Sequence, residues 1–406
     1  MFPCCRRCRK KGCDPIGLRP FFQDYTSNAP DLLTLIMVLS VKFESKSATT
    51  HQGWKMAIYA LWNNKGGVGK SYLTFQVASE YARTHPDRKI LVIDLCPQAN
   101  GSSMLLGGME RGERALDSLS NQAPRKTISG YIEDRILSPY VNPQTGATYL
   151  TNISQQNLAV PNNLYLVAGD EQLEIQASRV LGATAPGPND AWRIVHTWIS
   201  DLIEDVQRQW NQEATTVFID CNPSFSIYTE LALSASDRLI IPFSADGSSK
   251  RAVRAVLALL YGITRTPGSQ QSQFYLNSQQ FRLPIPKIYC YAGNRLTQYI
   301  SSAKAFRTVV QEIGNEIWAV WQTNPNVFHI HPTGTGSPSG RNAFNRMFQF
   351  EIVDANTASV VSSSCGIPIV RLTSGSHDVA ARSVTVNQSQ LDNQQPNIQQ
   401  LVAAIE

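Results

Sequence analysis

The stretch that decides the fold is AIYALWNNKGGVGKS, residues 57–71, in which an apolar run leads directly into a glycine-rich loop. Residues Ala57–Trp62 have the length and apolar character of a buried strand, and Ser71–Thr84 carries apolar side chains at helical spacing. Glycines between a strand and a helix let consecutive backbone N–H groups converge on phosphate oxygens, and the helix start adds a partial positive charge. The sequence therefore predicts a phosphate-binding loop at residues 63–71.

The last two side chains of this loop predict a nucleotide bound together with a metal ion. Lys70 can neutralise the β- and γ-phosphates, and the Ser71 hydroxyl can ligate Mg²⁺. The usual spacing G-x-x-x-x-G-K-[ST] requires glycine at position 64, where this chain has Asn64 followed by a second lysine, Lys65. A chance glycine turn is the alternative, and the strand and helix on either side of the loop argue against it.

Strand and helix patterns alternate along the rest of the chain. Further apolar runs of strand length lie at Ile90–Leu95, Leu164–Ala168, Thr216–Asp220, Arg238–Phe243, Lys287–Gly293 and Ile367–Leu372. Helical spacing recurs at Ala191–Trp210, Ser249–Gly262 and Ser302–Gly314. The alternation predicts one doubly wound α/β domain over residues 56–406, with a mostly parallel sheet and helices on both faces. Three long stretches, at 123–156, 266–286 and 329–345, are predicted to be insertions.

The positive net charge belongs to one end of the chain. The 406 residues contain 36 Lys and Arg against 31 Asp and Glu, a formal net charge of +5. Residues 1–55 hold nine of these cations and four of the acids, so residues 56–406 are neutral. Net charge is therefore no evidence that the domain binds DNA. The scattered cysteines of the domain suit a reducing compartment and predict a cytoplasmic protein. The sequence contains no apolar run of 18 residues, so a membrane-spanning helix is not predicted.

Residues 1–55 form a basic leader that contains Cys4, Cys5, Cys8 and Cys13. A zinc site is one interpretation, but the four cysteines are crowded by basic residues, and no histidine precedes His51. A secretory signal is another, but a polar spacer separates the basic start from a short apolar run. We favour a poorly structured leader that is an upstream extension of the reading frame rather than part of the native protein.

The segment KGGVGKS, with a lysine on each side of its glycines, resembles the deviant Walker A motif of the ParA/MinD superfamily of ATPases. The resemblance covers residues 56 to about 295 and is strongest toward ParA-type partition proteins. It continues through DLCPQAN at 94–100, LYLVAG at 164–169, VFIDCNP at 217–223 and ASDRLIIP at 235–242, with a weaker echo at 366–370. It implies a P-loop fold of the deviant Walker A type, with ATP and Mg²⁺ bound in a homodimer.

The resemblance also implies roles for individual residues. Lys65 would reach the nucleotide of the partner protomer, and Lys70 and Asp94 would act in catalysis. Residues implied to bind the nucleotide are Gly66, Gly67, Val68, Gly69, Lys70, Ser71 and Tyr72, with Asn294, its neighbour Arg295 and Pro368 near the base. Ser71 and Asp220 would hold the metal ion. Asp220 also ends an apolar strand, where a buried carboxylate needs a partner such as a Mg²⁺-bound water. The alternatives are a helix-capping role for Asp220 and a plain turn at Asn294.

One departure from the family pattern bears on mechanism. The acid that precedes Pro-Gln in the family is thought to orient the attacking water, and this chain has Cys96 there. A phosphoryl-transfer site depends on positioning and charge, so losing this carboxylate predicts slow hydrolysis with nucleotide binding intact. Asp94 can act from a shifted geometry or serve only as a structural acid. A redox-sensitive thiol at Cys96 is a further alternative.

The resemblance implies an ATPase that positions or segregates DNA or another large cargo, with nonspecific DNA and a ParB-like or other protein as partners. Candidate phosphate contacts are Lys250, Arg251, Arg254, Lys304 and Arg307, and the alternative is that these cations only belong to solvated helix faces. Residues 398–405 contain no Lys or Arg, so the membrane-binding helix of MinD proteins is not expected. The alternative function is a non-hydrolysing, nucleotide-dependent regulator or assembly factor. No pair of cluster cysteines supports an electron-transfer reductase.

Overall fold

The structure, a computed structural model, describes residues 56–185, 187–266, 268–296 and 300–406. The predicted leader at 1–55, with its cysteines, lies outside the described residues.

A single large sheet organises the described part of the chain. Its strands are β1 (Ala57–Leu61), β2 (Lys89–Asp94), β3 (Thr151–Asn152), β4 (Leu164–Val167), β5 (Thr215–Asp220), β6 (Arg238–Phe243), β7 (Lys287–Leu296) and β8 (Gln349–Val353). They lie in the order β3-β4-β2-β5-β1-β6-β7-β8, and each neighbouring pair is parallel except β3 with β4. The predicted α/β fold with a mostly parallel sheet is therefore confirmed.

Helices cover both faces of this sheet. They are α1 (Lys70–Thr84), α2 (Asn100–Leu105), α3 (Gly108–Ser120), α4 (Ile128–Leu137), α5 (Gln172–Ala183), α6 (Ala191–His196), α7 (Trp198–Gln209), α8 (Ile227–Ala235), α9 (Ser249–Tyr261), α10 (Gln273–Gln280), α11 (Ile300–Thr323), α12 (Arg341–Phe348), α13 (Thr357–Cys365) and α14 (Gln388–Ala403). A hairpin of β9 (Gly375–Val379) and β10 (Arg382–Val386) precedes α14.

The central strand β1 shows how the two faces are packed. Ile58 and Ala60 point into a core shared with α4, α7, α8, α9 and α11. Tyr59 and Leu61 point into a second core formed with α1, α2, α3, α13 and α14. Because successive side chains of a strand alternate between faces, one apolar run supplies both cores. The apolar side chains of α14, including Ile398 and Leu401, are buried in the second core.

The predicted strand at Ile367–Leu372 is wrong. This run contains a 3₁₀ turn at Ile369–Arg371, and the edge strand is β8, at Gln349–Val353. Ile369 and Leu372 are buried, and the Ile369 N–H donates to the side chain of Gln76 in α1 at 2.7 Å rather than to a strand. A short apolar run reports burial and does not by itself distinguish a strand from a buried turn, and a proline within it argues against a strand.

Two helix predictions also need correction. The helix predicted at Ala191–Trp210 is divided at Thr197 into α6 and α7, and the helix predicted at Ser302–Gly314 extends over Ile300–Thr323. The stretches predicted as insertions are partly ordered: 123–156 contains α4 and β3, 266–286 contains α10, and 329–345 runs into α12. Within the described residues, every helix is too short or too polar to cross a lipid bilayer.

Candidate nucleotide-binding site

The glycine loop joins β1 to α1 at the carboxyl edge of the sheet. Gly67 and Gly69 have φ angles of 73° and 76°, the left-handed region that glycine adopts without strain. The buried Asn63 fixes the start of the loop, because its side-chain amide donates to the carbonyl of Pro242 at 2.8 Å. The loop therefore has the backbone turn that the sequence predicts for a phosphate cradle.

Lys70 lies across the inside of the loop. Its ammonium group is buried and donates to the carbonyl oxygens of Lys65 at 2.9 Å and Asn63 at 3.4 Å. Burial lowers the pKa of Lys70, and the negative charge of Asp220 raises it in part. A cation that is held only by carbonyl oxygens can transfer to phosphate oxygens, which are stronger acceptors.

Asp220 ends β5 beneath the first turn of α1. It is fully buried, and neither carboxylate oxygen has a well-formed hydrogen bond among the described residues, although the Ser71 hydroxyl lies close enough to lower its pKa. Burial and the neighbouring Asp94 raise its pKa well above the usual range, and Ser71 and Lys70 act in the opposite direction. A buried carboxylate without a partner is costly unless a cation satisfies it. One carboxylate and one hydroxyl, completed by phosphate oxygens and waters, fit the ligand preference of Mg²⁺.

Asp94 is paired with Asp220 in the register of β2 and β5. Its Oδ1 accepts the N–H of Cys96 at 3.0 Å, and its Oδ2 accepts the N–H and hydroxyl of Ser102 at 2.9 and 2.7 Å. Burial raises the pKa of Asp94, and these hydrogen bonds lower it. Asp94 therefore ties the loop after β2 to α2, and its carboxylate is occupied by these contacts rather than directed into the cavity.

Gly101 lets α2 approach the two carboxylates, and sequence reasoning missed it. A Cβ atom there would lie 2.7 Å from Oδ2 of Asp220 and 3.2 Å from Oδ2 of Asp94. A larger residue at position 101 would fill the space beside the unpartnered carboxylate. The available signal was a glycine within two residues of the predicted family segment, which is too weak to assign a role.

A cavity of about 600 Å³ opens in front of the loop. Its walls include Gly67, Gly69, Lys70, Ser71, Tyr72, Cys96, Gln98, Asn100, Glu113 and Cys221. Burial and the nearby Asp94 raise the pKa of Cys96 to about 12, so its thiol is protonated at neutral pH. A thiol in this state is a poor nucleophile, which argues against the redox-sensitive interpretation.

Lys65 lies at the rim of the site and is held within its own chain. Its ammonium pairs with Asp246 and donates to the hydroxyls of Ser244 at 3.1 Å and Ser249 at 3.2 Å. Partial burial acts to raise the pKa of Asp246, but hydrogen bonds from Lys65 and two serines hold it far below the usual range. The structure thus brings Lys70 and Ser71 together with Asp220, whereas it places the Lys65 ammonium beside Asp246.

The residues implied near the base occupy different positions. Asn294 is buried at β7, and its amide donates to the carbonyls of Val68 at 3.0 Å and Gly69 at 3.2 Å. Pro368 is buried and is absent from the cavity walls within the described residues. Tyr72 contributes to the wall, and its hydroxyl donates to Gln394 at 2.6 Å. Asn294 therefore supports the loop from below, and the side chain of Arg295 lies outside the described part.

Two of the candidate DNA contacts, Lys250 and Arg254, are paired with acids. Lys250 lies 2.9 Å from Glu312, and Arg254 binds Glu316 with two hydrogen bonds, of 2.7 and 3.1 Å. Arg251 is exposed on the same helix, as is Arg307 on α11, and the side chain of Lys304 lies outside the described part. The ion pairs between α9 and α11 reduce the positive charge that this face offers to phosphates.

Comparison with known proteins identifies the family. A family model described as an AAA domain matches residues 56–272, more than half of the chain. The chain belongs to the ParA/MinD superfamily. A ParA/MinD member in Myxococcus xanthus, the chromosome partitioning protein ParA, is 25% identical over 197 residues, which are 48% of this chain and 55% of that protein. A Pseudomonas putida protein named only as uncharacterized is 27% identical over 195 residues, 47% of this chain and 56% of that one.

The fold agrees with that of a solved structure. The complex of a single-residue variant of Cyanothece McdA with ATP has a TM-score of 0.52 with this chain at 13% identity, and the match covers 87% of this chain and 99% of that one. At this identity the likeness shows the fold alone. The chain spans about half the length of the curated relatives it matches.

Proposed function

We propose that this chain is a cytoplasmic ATPase that binds ATP with Mg²⁺, dimerises around two nucleotides and thereby positions or segregates DNA or another large cargo. The observation that carries the proposal is the buried, unpartnered carboxylate of Asp220 beneath the glycine loop. A metal ion bound to ATP phosphates would satisfy this carboxylate, and the Ser71 hydroxyl would complete the protein's share of the ligands.

The backbone N–H groups of residues 66–70 would hold the phosphates, with Lys70 neutralising their charge. Lys70 would exchange its carbonyl partners on the loop for phosphate oxygens. Asn294 would keep the loop in shape through its two hydrogen bonds to the carbonyls of Val68 and Gly69. We assign Asn294 this support rather than a contact with the base.

Dimerisation would use Lys65, which family resemblance assigns to the partner's nucleotide. To reach it, the ammonium must leave Asp246, Ser244 and Ser249. Exposed ion pairs of this kind are worth about 0.2–1 kcal/mol, so a nucleotide triphosphate across the interface can displace this one. The name of the Myxococcus relative, a chromosome partitioning protein, supports a segregation role for the dimer.

Hydrolysis is proposed to be slow because Cys96 stands where the family has a water-orienting acid. The protonated thiol is a weak hydrogen-bonding group and cannot hold a water as a carboxylate does. Binding of ATP and Mg²⁺ does not depend on this position, so the expected outcome is tight binding with low turnover.

The second candidate function is a non-hydrolysing regulator or assembly factor whose dimer is locked by ATP. Cys96 favours it, and so do the ion pairs that neutralise Lys250 and Arg254, because a DNA-positioning protein needs several unpaired cations on one face. Salt titration of DNA binding would report how many cations take part.

The test combines two measurements on the full chain. ATP turnover is followed with and without DNA, and particle mass is measured with ATP and Mg²⁺. We expect a nucleotide-dependent dimer and slow turnover, and Cys96→Asp should increase the turnover. A dimer with no turnover above background would favour the regulator, and a chain that remains monomeric and binds no ATP would exclude both functions.

A further inference from the structure

The inference concerns the group that orients the attacking water, and it rests on the proposed ATPase function. Hydrolysis of a γ-phosphate requires a side chain that holds the water in line with the phosphorus. In this chain Cys96 occupies the position of the family's water-orienting acid. The two nearby acids, Asp94 and Asp220, already have other roles. Asp94 accepts hydrogen bonds from the N–H groups of Cys96 and Ser102, and Asp220 is the metal ligand in the function proposed above. Another polar group in the cavity must supply the water contact if ATP is hydrolysed.

Gln98 is a polar side chain in the cavity wall, two residues after Cys96. The chain turns tightly here, because the N–H of Ala99 donates to the carbonyl of Cys96 at 3.0 Å and Ala99 has a φ of 49°. Pro97 and Ala99 are buried on either side, whereas the Gln98 side chain is exposed. The turn therefore directs an amide out of the core beside the thiol.

Asn100 sets the direction of this amide. Its side-chain N–H donates to Oε1 of Gln98 at 3.3 Å. An amide carbonyl has two acceptor sites, so this hydrogen bond leaves one for a water molecule. Asn100 begins α2, and the next residue, Gly101, approaches the carboxylate of Asp220. The Gln98–Asn100 pair is thus anchored beside the metal side of the site.

We propose that Gln98 is the catalytic residue that holds the attacking water and that Asn100 is the positioning residue that orients the Gln98 amide. The Gln98 carbonyl accepts one hydrogen of the water while the water oxygen forms a bond to the γ-phosphorus. The bond from that phosphorus to the bridging oxygen breaks, its electron pair leaves with ADP, and the water proton passes to the released phosphate. An amide does not take up this proton as a carboxylate would, which agrees with slow turnover.

Glu113 is the competing candidate. It lines the same cavity from α3, and its carboxylate is exposed there. It lies on a different element from Cys96, with no described contact to the loop after β2. Gln98 is favoured because it lies two residues from position 96, where the family has the acid, and because Asn100 orients its side chain.

The experiment measures single-turnover hydrolysis of ATP with Mg²⁺ in the full chain, with binding of a fluorescent ATP analogue measured separately. Gln98→Ala is expected to slow hydrolysis at least about tenfold, with binding changed by less than about twofold. Gln122→Ala, at an exposed glutamine outside the cavity walls, should leave both unchanged. Asn100→Ala should slow hydrolysis less and have no added effect in a Gln98→Ala background, which a purely structural role would not predict.

A second variant adds a pH readout. Gln98→Glu places a titratable group at the water, so its hydrolysis rate should rise with pH through the titration of the new carboxylate, unlike that of the unmodified chain. Hydrolysis at full rate in Gln98→Ala would overturn the proposal. Loss of hydrolysis in Glu113→Gln but not in Gln98→Ala would also overturn it. ATP binding without any hydrolysis in the unmodified chain would also overturn it and leave nucleotide binding standing. Failure to bind ATP would overturn the proposed function itself.

Discussion

The ammonium of Lys65 and the carboxylate of Asp246 are paired within one chain although 181 positions separate them. Lys65 lies in the glycine loop that follows β1, and Asp246 follows β6, the strand next to β1 in the sheet. The parallel order of these strands places both residues at the same edge. A lysine that family resemblance assigns to a partner's nucleotide is therefore occupied in the isolated chain.

Replacing Asp246 should make ATP-dependent dimerisation easier. Asp246→Asn removes the charge that competes for Lys65, and a pair this exposed is worth about 0.2–1 kcal/mol, or a change of up to about fivefold in the dimer dissociation constant. Particle mass against protein concentration, with ATP and Mg²⁺, gives this constant. Glu213→Gln, which removes the Lys89–Glu213 pair, is the control and should have no effect. Weaker dimerisation of Asp246→Asn would show that Asp246 contributes to the dimer.

Replacing Asp220 should stabilise the nucleotide-free chain and abolish its response to Mg²⁺–ATP. Asp220→Asn removes the charge of a buried carboxylate that lacks a well-formed hydrogen bond, a gain of about 1–3 kcal/mol, which is about 1–4 °C in Tm for a domain of this size. Thermal unfolding with and without Mg²⁺–ATP checks both effects. Asp94→Asn is the contrast, because an amide there would direct N–H groups at donors of Cys96 and Ser102, and it should lower Tm. A lower Tm for Asp220→Asn would mean that the carboxylate has a structural partner.

His329 should make the chain sensitive to mild acid. Burial and the nearby Arg238 lower its pKa to about 4, against about 6.5 in an unfolded chain. The unfolded chain takes up a proton at this imidazole as the pH falls below about 6.5, but the folded chain does not until about 4, so stability falls across that interval.

His329→Phe removes this effect and can keep the stacking on Tyr289, whose ring centre lies 5.6 Å away. We expect the loss of Tm between pH 7 and pH 5 to shrink by an amount equivalent to about 1 kcal/mol, reduced from the full linkage value because the site is partly exposed. His377→Phe, on the β9–β10 hairpin, is the control. Equal acid sensitivity in His329→Phe and the unmodified chain would contradict the assignment.

The local signals explain which parts of the site the sequence could predict. The glycine loop, its two lysines and Asp220 all lie at the end of a strand or the start of a helix, so residue type and spacing indicate their positions. Asn294 beneath the loop and Lys65 beside Asp246 depend on contacts between distant segments, which leave no local pattern. The same is true of the pairs of Lys250 and Arg254 with acids about 62 positions away.

The strand predicted at Ile367–Leu372 is wrong because this run is buried without pairing to a neighbouring strand. Ile367–Leu372 is apolar because it packs against α1, but Pro368 precedes a 3₁₀ turn. The backbone-to-backbone hydrogen bonds of this run stay local, and the Ile369 N–H donates to a side chain of α1 instead of a neighbouring strand. Strand β8, which lies at one edge of the sheet and was not predicted, carries a glutamate, Glu351, that is exposed to solvent. Edge strands often bear such charged side chains, which weakens the apolar signal that identifies a central strand.

The close approach of α2 and α3 should make Gly112 intolerant of a side chain. A Cβ atom at Gly112 would lie 2.1 Å from the carbonyl oxygen of Ser103, a backbone atom that cannot rotate away. Gly112→Ala should therefore cost about 1–3 kcal/mol, a fall of about 1–4 °C in Tm for a domain of this size. Gly182→Ala in α5, where a Cβ meets nothing within 4 Å, is the matched control and should gain about 0.5–1 kcal/mol from helix propensity.

Changes in Tm of opposite sign in the two variants, measured by thermal unfolding, would support this packing. Equal and small changes in Tm would mean that α3 can move away from Ser103. Since Ser103 and Glu113 both line the cavity proposed to hold the nucleotide, Gly112→Ala should also weaken ATP binding, whereas Gly182→Ala should not.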